Sequence, residues 1–454
     1  MTRVSETKGT VIQSFLKAIR DEKIAVFARG ATHNLFITVI ATFVGFLSTL
    51  VLTRVMGVEN YGLYVYILSW FAVLSLTGQV GFQPALVRYF AAYTAQNDWS
   101  RARGVITYTT SVSLFVSLAV GTIAGVVVWY FSSNLGDAFA WAFLLGSPLI
   151  PLITVSALRS AALRALKRVV LYVVPDGIIR PILIALILGI ISLGIKEPVT
   201  ASNALLVNIV ATFTVFAIGT ILLLRALPTE VRIAHPVYQK REWWRTSLPM
   251  FFSTGMNQIL AHADIIMVGT LLGPAEAGLY AVASRLAQLS LMGKNAADSI
   301  TAPMISELYA TEQRTHLARL VIISARGVTA FALSISLFLL LFGTPILELF
   351  GSAFTVVYLP LIILLAGFVF KASFASAGFL LSMTGHQDQS ALVNGLSGAI
   401  NIGLNLVLIP RFGLVGAAIA TSVTNVLWSL GLLYYAQKYL KINPAPFAKV
   451  PASP

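Results

Sequence analysis

Lys371 stands near the middle of an apolar run, with Phe368, Phe370 and Phe374 around it and no acidic residue one turn away on its own helix. An ammonium so deep cannot easily snorkel to water. It is either a cation lining a wet cavity, where it meets an anionic substrate, or the partner of a group on another helix. Asp176 and Arg180 lie four apart, a spacing that puts both on one helical face. Pro175 and Pro181 beside them can open the backbone. The pair either neutralises itself on a kinked helix or leaves Arg180 facing a cavity while Asp176 tunes its charge. Asp264 and Arg285 each fall about eight residues from one hairpin, roughly 12 Å below the same surface at 1.5 Å per residue. The expectation is a buried ion pair that either pins two helices or opens during gating or proton coupling. His262, two residues from Asp264, points to a different face and is a bonded packing residue or a proton relay. Asn257 shares a face with Asp264, where its amide suits substrate hydroxyls or a helix–helix bond. Arg88 closes the second apolar run at a mouth. Its guanidinium offers paired donors to phosphate oxygens, or simply sets topology.

The elements that must hold these side chains follow from composition. The chain has 454 residues, 57% hydrophobic and 11% charged, with mean hydropathy +0.85. Soluble domains carry about 25% charged residues, so a soluble fold could not hide this apolar surface. The reading is an all-α polytopic membrane protein. With no cysteine, disulfides and thiolate metal sites are excluded. Five histidines without HxxxH or HExxH spacing argue against zinc. No Walker-type phosphate loop occurs, so the chain itself does not use ATP. No cofactor is expected.

Apolar runs at 32–55, 61–87, 105–131, 138–157, 169–193, 201–224, 247–272, 277–298, 320–346, 355–383, 390–410 and 414–436 predict about twelve transmembrane helices. Residues 1–30 carry Ile12, Phe15, Leu16 and Ile19 at helical spacing against Lys17, Arg20 and Lys23, the pattern of an amphipathic helix on the membrane surface. No cleavable leader is visible, because the first long apolar run continues into a full span. The polar stretch 227–246, with Pro228, Pro236 and Trp243-Trp244, reads as an interfacial linker between a first lobe (31–226) and a second (247–437), followed by a tail at 438–454. One set of loops holds Arg101, Arg103, Arg159, Arg164, Lys167, Arg168, Arg225, Arg232, Lys240, Arg241, Arg245, Lys294, Arg314 and Arg319. The basic N-terminal segment and the tail with Lys438, Lys441 and Lys449 fall on that side. The opposite loops hold little beyond Arg54, Lys196 and Arg411. Both termini are therefore expected in the cytoplasm. The net charge of +14 is a topology signal with attraction to anionic membrane lipid, not a nucleic-acid patch.

The chain also repeats itself. Met56-Gly57-Val58-Glu59-Asn60-Tyr61-Gly62-Leu63-Tyr64 returns about 216 residues later as Leu272-Gly273-Pro274-Ala275-Glu276-Ala277-Gly278-Leu279-Tyr280. Two related membrane halves facing each other suit a carrier that alternates access around a central cavity. With their flanks, the repeats resemble the polysaccharide flippase family of the multidrug/oligosaccharidyl-lipid/polysaccharide exporter superfamily. The first-half residues are Thr53-Arg54-Val55-Met56-Gly57 through Gly62-Leu63-Tyr64, then Ala85-Leu86-Val87-Arg88. In the second half they are Pro249, Asp264 to Gly269, Gly273, Gly278-Leu279-Tyr280 and Ser284-Arg285-Leu286, and the segment Ala161 to Arg168 also fits.

The resemblance covers almost the whole chain. It implies two pseudo-symmetric bundles of six helices in a cell (inner) membrane. It also implies transport of polyprenyl-(pyro)phosphate-linked oligosaccharide from the inner to the outer leaflet, for cell-surface polysaccharide synthesis. A polysaccharide polymerase or glycosyltransferases would be partners, and the carrier would work as a monomer. In that setting Arg88 would receive the pyrophosphate at entry, while Arg180 and Lys371 would supply a positive field in the cavity. The prenyl tail would stay in lipid, and rocking of the lobes would alternate access. An ion-coupled drug or metabolite exporter of the same superfamily is the alternative. A membrane glycosyltransferase or polymer ligase would need a large outward loop and paired carboxylates, which are absent here.

Overall fold

The computed structural model describes residues 22–194 and 198–449. It excludes the side chains of 22–35, Val169, Phe252, Ser253, Thr254, Met256, Asn257, Ala296, Ser299, Ile300, Ala302 and Pro303. The surface helix expected from Ile12, Phe15, Leu16 and Ile19 therefore lies outside the described residues, as does Lys196.

Every regular element among the described residues is helical. A chain in lipid must satisfy its own backbone donors and acceptors, and a helix does so within each span. Eight helical stretches are long and apolar enough to cross a membrane, and two of these are double spans. Glu22–Gln79 turns back at Gly57 (φ 71°), and Gln387–Leu440 turns back at Gly413 (φ 58°). Gly273 (φ 122°) makes the equivalent corner between Lys240–Leu271 and Pro274–Gln288. A side chain at these positive φ values would clash with its own backbone, which accounts for the glycine in each repeat. Counting both arms of each double helix, and the more polar seventh and eighth helices, the chain makes twelve spans in two lobes.

Several spans are broken. The second runs over 58–95, with a corner at Val80 (φ 49°) and Gly81 (φ 73°). The fifth widens into a π-turn at Pro175–Ile179. Pro181 has no N–H to offer the preceding turn, and its own carbonyl accepts a bond from Ser48 of the first span (3.0 Å). The eighth carries a 3₁₀ turn at Leu289–Leu291, and the tenth pauses at Phe374 between Tyr358–Ser373 and Ala375–Met383.

The lobes meet closely on the face away from the basic loops. A side chain on Gly278 would strike the Gly62 backbone, and one on Gly62 would strike Pro274 and Ala275. The second glycine of each repeat thus forms the contact between the two halves. The Arg54 guanidinium donates to the carbonyls of Glu348 (2.7 Å) and Leu349 (2.6 Å), the last turn of the ninth span in the other lobe. The Tyr66 and Thr270 hydroxyls lie 2.9 Å apart, and Phe46 meets Phe350 edge-on at 5.3 Å.

On the basic face the seventh span, Lys240–Leu271, begins against the first lobe. Trp243 is fully buried in a core with Phe82, Leu86 and Phe90, and its indole donates to the Tyr93 hydroxyl (3.2 Å). Trp244 donates to Tyr108 (3.0 Å). Aromatic residues were expected here as a membrane-interface belt. The structure instead uses Trp243 as a wedge, because the first lobe leaves an apolar slot at this end.

Candidate functional site

The charged residues singled out in the sequence find different partners from those that spacing suggested. Asp264, in the seventh span, bonds to three neutral groups rather than to Arg285. Asn405 Nδ2 donates to Oδ1 (2.7 Å), Thr421 Oγ1 donates to Oδ2 (2.6 Å), and the Tyr280 hydroxyl donates to Oδ2 at 3.4 Å. Asn405 and Thr421 come from the eleventh and twelfth spans, on either side of the Gly413 corner. Helix-to-helix pairing across that corner is a tertiary fact that spacing within the seventh and eighth spans could not show. Arg285 turns the other way. Its guanidinium fills the space over Gly45 of the first span, and the residue is exposed in the crevice between the lobes.

Asp176 likewise pairs outside its own helix. Arg159 Nη2 of the fourth span donates to Asp176 Oδ2 at 2.6 Å, and Ser160 Oγ lies 3.3 Å from the same oxygen. The Arg159 side chain is 3% exposed. It also donates from Nη1 to the carbonyls of Val215 (3.0 Å) and Phe216 (3.1 Å) in the sixth span, and Gly219 leaves the room it needs. Arg159 was read as one of the basic loop residues. It is instead buried inside the first lobe, six residues before the helix Leu149–Ala165 ends. The apolar residues Leu158, Ala161, Ala162 and Leu163 around it were the signal in the sequence.

Arg180 is thereby left without Asp176. It is half-buried at the start of Arg180–Gly194, within electrostatic reach of Tyr64. Arg88 is exposed at the basic end of the second span, 5.8 Å from the Tyr89 ring centre. His262 is half-buried, and its Nδ1 has no hydrogen-bond partner. The side chain of Asn257 lies outside the described residues.

Lys371 and Asp264 do come together, in a cavity of about 230 Å³ in the second lobe. The Lys371 ammonium lies 5.2 Å from the ring centre of Trp428, whose indole donates to Asn394 Oδ1 (2.5 Å). Between these ends the lining includes Asn401, Thr424 and Asn425. Arg180 does not line it, so the two cations expected in one chamber belong to different lobes. Among the described residues, Arg88, Arg180, Arg285 and Lys371 have no acidic partner within ion-pair distance, whereas Arg101, Arg159 and Lys294 do. No group of three or more metal-binding side chains occurs among the described residues.

The repeats anchor both lobes in the same way. Tyr64 accepts a bond from Asn208 of the sixth span (2.9 Å), and Tyr280 lies 3.1 Å from Thr421 of the twelfth. Only the second lobe adds a carboxylate to that network.

The fold is that of known carriers. The structure resembles an inward-facing multidrug resistance MATE family transporter of the MOP superfamily, with TM-score 0.71 and 14% identity, covering 90% of this chain and 98% of that one. It also resembles the lipid II flippase MurJ in an inward closed conformation, with TM-score 0.66 and 16% identity, covering 89% of this chain and 87% of that one. In sequence it is 24% identical over 181 residues to the "Probable low-salt glycan biosynthesis flippase Agl15" of Haloferax volcanii, covering 40% of this chain and 38% of the relative. The chain thus matches about two fifths of that curated relative's length. Residues 27–309, more than half of the chain, match the family described as polysaccharide biosynthesis protein. With its twelve spans and repeated glycine corners in place, this multi-pass membrane protein belongs to the polysaccharide biosynthesis protein family.

Proposed function

We infer that this protein is a flippase. It carries polyprenyl-(pyro)phosphate-linked oligosaccharide from the inner to the outer leaflet by alternating access, acting as a carrier rather than an enzyme. The observation that carries this reading is the set of cations at Arg180, Arg285 and Lys371, which have no acidic partner within ion-pair distance among the described residues. A charge at the bilayer centre costs at least about 2.5–3.5 kcal/mol, so an unpaired one implies a wet surface and an anion to meet. Family membership and the flippase relative from Haloferax support the same reading.

A sugar-pyrophosphate headgroup cannot cross hydrocarbon unaided, because its polar groups lose their water. In this reading the basic face lies in the cytoplasm with both termini, and the headgroup enters past Arg88. Arg180 from the first lobe and Arg285 at the crevice hold the phosphates, where guanidinium offers paired donors. Lys371 acts on the headgroup from the second lobe, as does Asn257. The prenyl tail remains in lipid. Asp264 and Asp176 serve gating: Asp264 joins the seventh span to the eighth, eleventh and twelfth, and Asp176 joins the fifth to the fourth, with Arg159 adding the sixth, through hydrogen bonds that rocking would load. His262, with an unpartnered ring nitrogen, is the remaining candidate for coupling. The protein functions as a monomer in the cell inner membrane, beside the polymerase or glycosyltransferases that use its product.

The test is a reconstituted translocation assay with defined polyprenol-linked sugars, run with and without a membrane potential. Movement of lipid-linked glycan between leaflets is the expected result. Transport of cationic drugs but not of lipid-linked sugars would establish the exporter reading instead.

A further inference from the structure

We propose that the cavity inside the second lobe is a subsite for a single carboxylated sugar residue. The inference rests on the flippase reading and names a class of glycan that it would carry.

The cavity has the chemistry of such a site along one helix. Thr421, Asn425 and Trp428 succeed one another by about one turn on the twelfth span. At one end Thr421 shares Asp264 with Asn405 and Tyr280. In the middle, Asn425 is 6% exposed, yet its Nδ2 has no partner, and neither has Thr424 Oγ1 beside it. Buried polar atoms are nearly always hydrogen-bonded, and unmatched ones mark a missing ligand or water. At the other end the Lys371 ammonium rests on Trp428 with no carboxylate within ion-pair distance among the described residues, Asp264 lying across the cavity.

Each feature narrows the ligand. At about 230 Å³ the cavity is below the range of about 300–1,000 Å³ for drug-sized ligands, so it takes one ring and not a chain of sugars. Trp428, fixed by its bond to Asn394, offers a flat apolar surface, and the free amide and hydroxyl match ring hydroxyls. Lys371 requires an anion. The Asp264 carboxylate across the same space disfavours a dianion such as phosphate but tolerates a monoanion. A free metal cation is disfavoured as well. Lys371 already supplies a positive charge, and the Asp264 oxygens are taken by neutral donors.

The experiment is saturation-transfer NMR on the purified full chain in detergent, with D-glucuronate, D-glucose and inorganic phosphate at matched sodium. Glucuronate should bind saturably and at least about tenfold more tightly than glucose, the worth of a charge-assisted bond. K371Q should bring the two sugars level, and N425L should weaken both. Equal binding of glucuronate and glucose by the unaltered protein overturns the proposal. So does glucuronate binding that survives K371Q and N425L, or displacement of glucuronate by phosphate at equal concentration. The comparison of ligands on the unaltered protein needs no variant to fold. The translocation assay separates the two readings. A protein that flips lipid-linked glycan but shows no preference for glucuronate refutes this subsite and leaves the flippase standing. One that binds glucuronate but moves no lipid-linked glycan refutes the flippase and leaves the subsite.

Discussion

Arg159 and Asp176 carry opposite charges into the first lobe and meet at 2.6 Å, with two carbonyls of the sixth span also accepting from the guanidinium. Removing one member leaves the other buried without compensation. Arg159→Ala should cost about 3 kcal/mol, seen as a lower unfolding midpoint in detergent, while the double variant R159M/D176L should recover much of it. The unpaired cations predict a different outcome. R180Q, R285Q and K371Q each lose a charge that has no acidic partner among the described residues, so the unfolding midpoint should stay near that of the unaltered chain. Translocation of lipid-linked sugar should fall at least about tenfold, the value of a charge-assisted bond to an anion. Full transport by all three variants would remove the basis for a headgroup-binding role. A change that only destabilised the protein would place these residues with Arg159 instead.

At the scale of elements, the glycine corners and broken helices set what can move. Gly57 and Gly273 hold φ values that favour glycine, and Ala at either should cost about 1–2 kcal/mol. Gly62 and Gly278 act differently, since their φ values are ordinary and their role is close approach between the lobes. Gly278→Leu should pry that contact open. R54Q should act in the same direction, because Arg54 caps the last carbonyls of the ninth span across the lobe boundary. The chain has no cysteine, so one introduced near the crevice can be labelled without background. Both variants should raise its labelling by a membrane-impermeant reagent from the face away from the basic loops. Unchanged labelling would show that these contacts do not hold the lobes together.

For the whole molecule, the far-face contacts and the wedge of Trp243 in the first lobe describe two lobes closed against each other on one side. The seventh span is the link, starting in one lobe's core, passing the other's cavity at Leu260 and Asp264, and ending at the contact of Thr270 with Tyr66. The proposed flippase cycle requires the far-face contacts to part. A cysteine pair at Tyr66 and Thr270, joined by a short thiol cross-linker, should stop translocation, and cleavage of the linker should restore it. Continued transport with the lobes tied would rule out rocking as the mechanism. Asymmetry between the halves belongs to this scale too. Both repeats anchor their lobe through a tyrosine, but only the second adds Asp264 and Lys371, so the two halves differ chemically at matching positions.

The amino-acid sequence alone determined the membrane class, the count of spans and the repeated glycine motif that relates the two halves. These follow from apolar run lengths and from self-similarity along the chain, both of which neighbouring residues carry; that Gly57, Gly273 and Gly413 turn corners was decided by the structure. It also identified Asp176, Asp264 and Lys371 as costly charges requiring partners. Which partners they take was decided by tertiary structure. Asp176 found Arg159 from the fourth span, Asp264 found Asn405 and Thr421 from beyond the Gly413 corner, and Lys371 found Trp428. A helical period reports which residues share a face, whereas the group opposite that face depends on how separate spans pack, and no spacing within one helix encodes that choice.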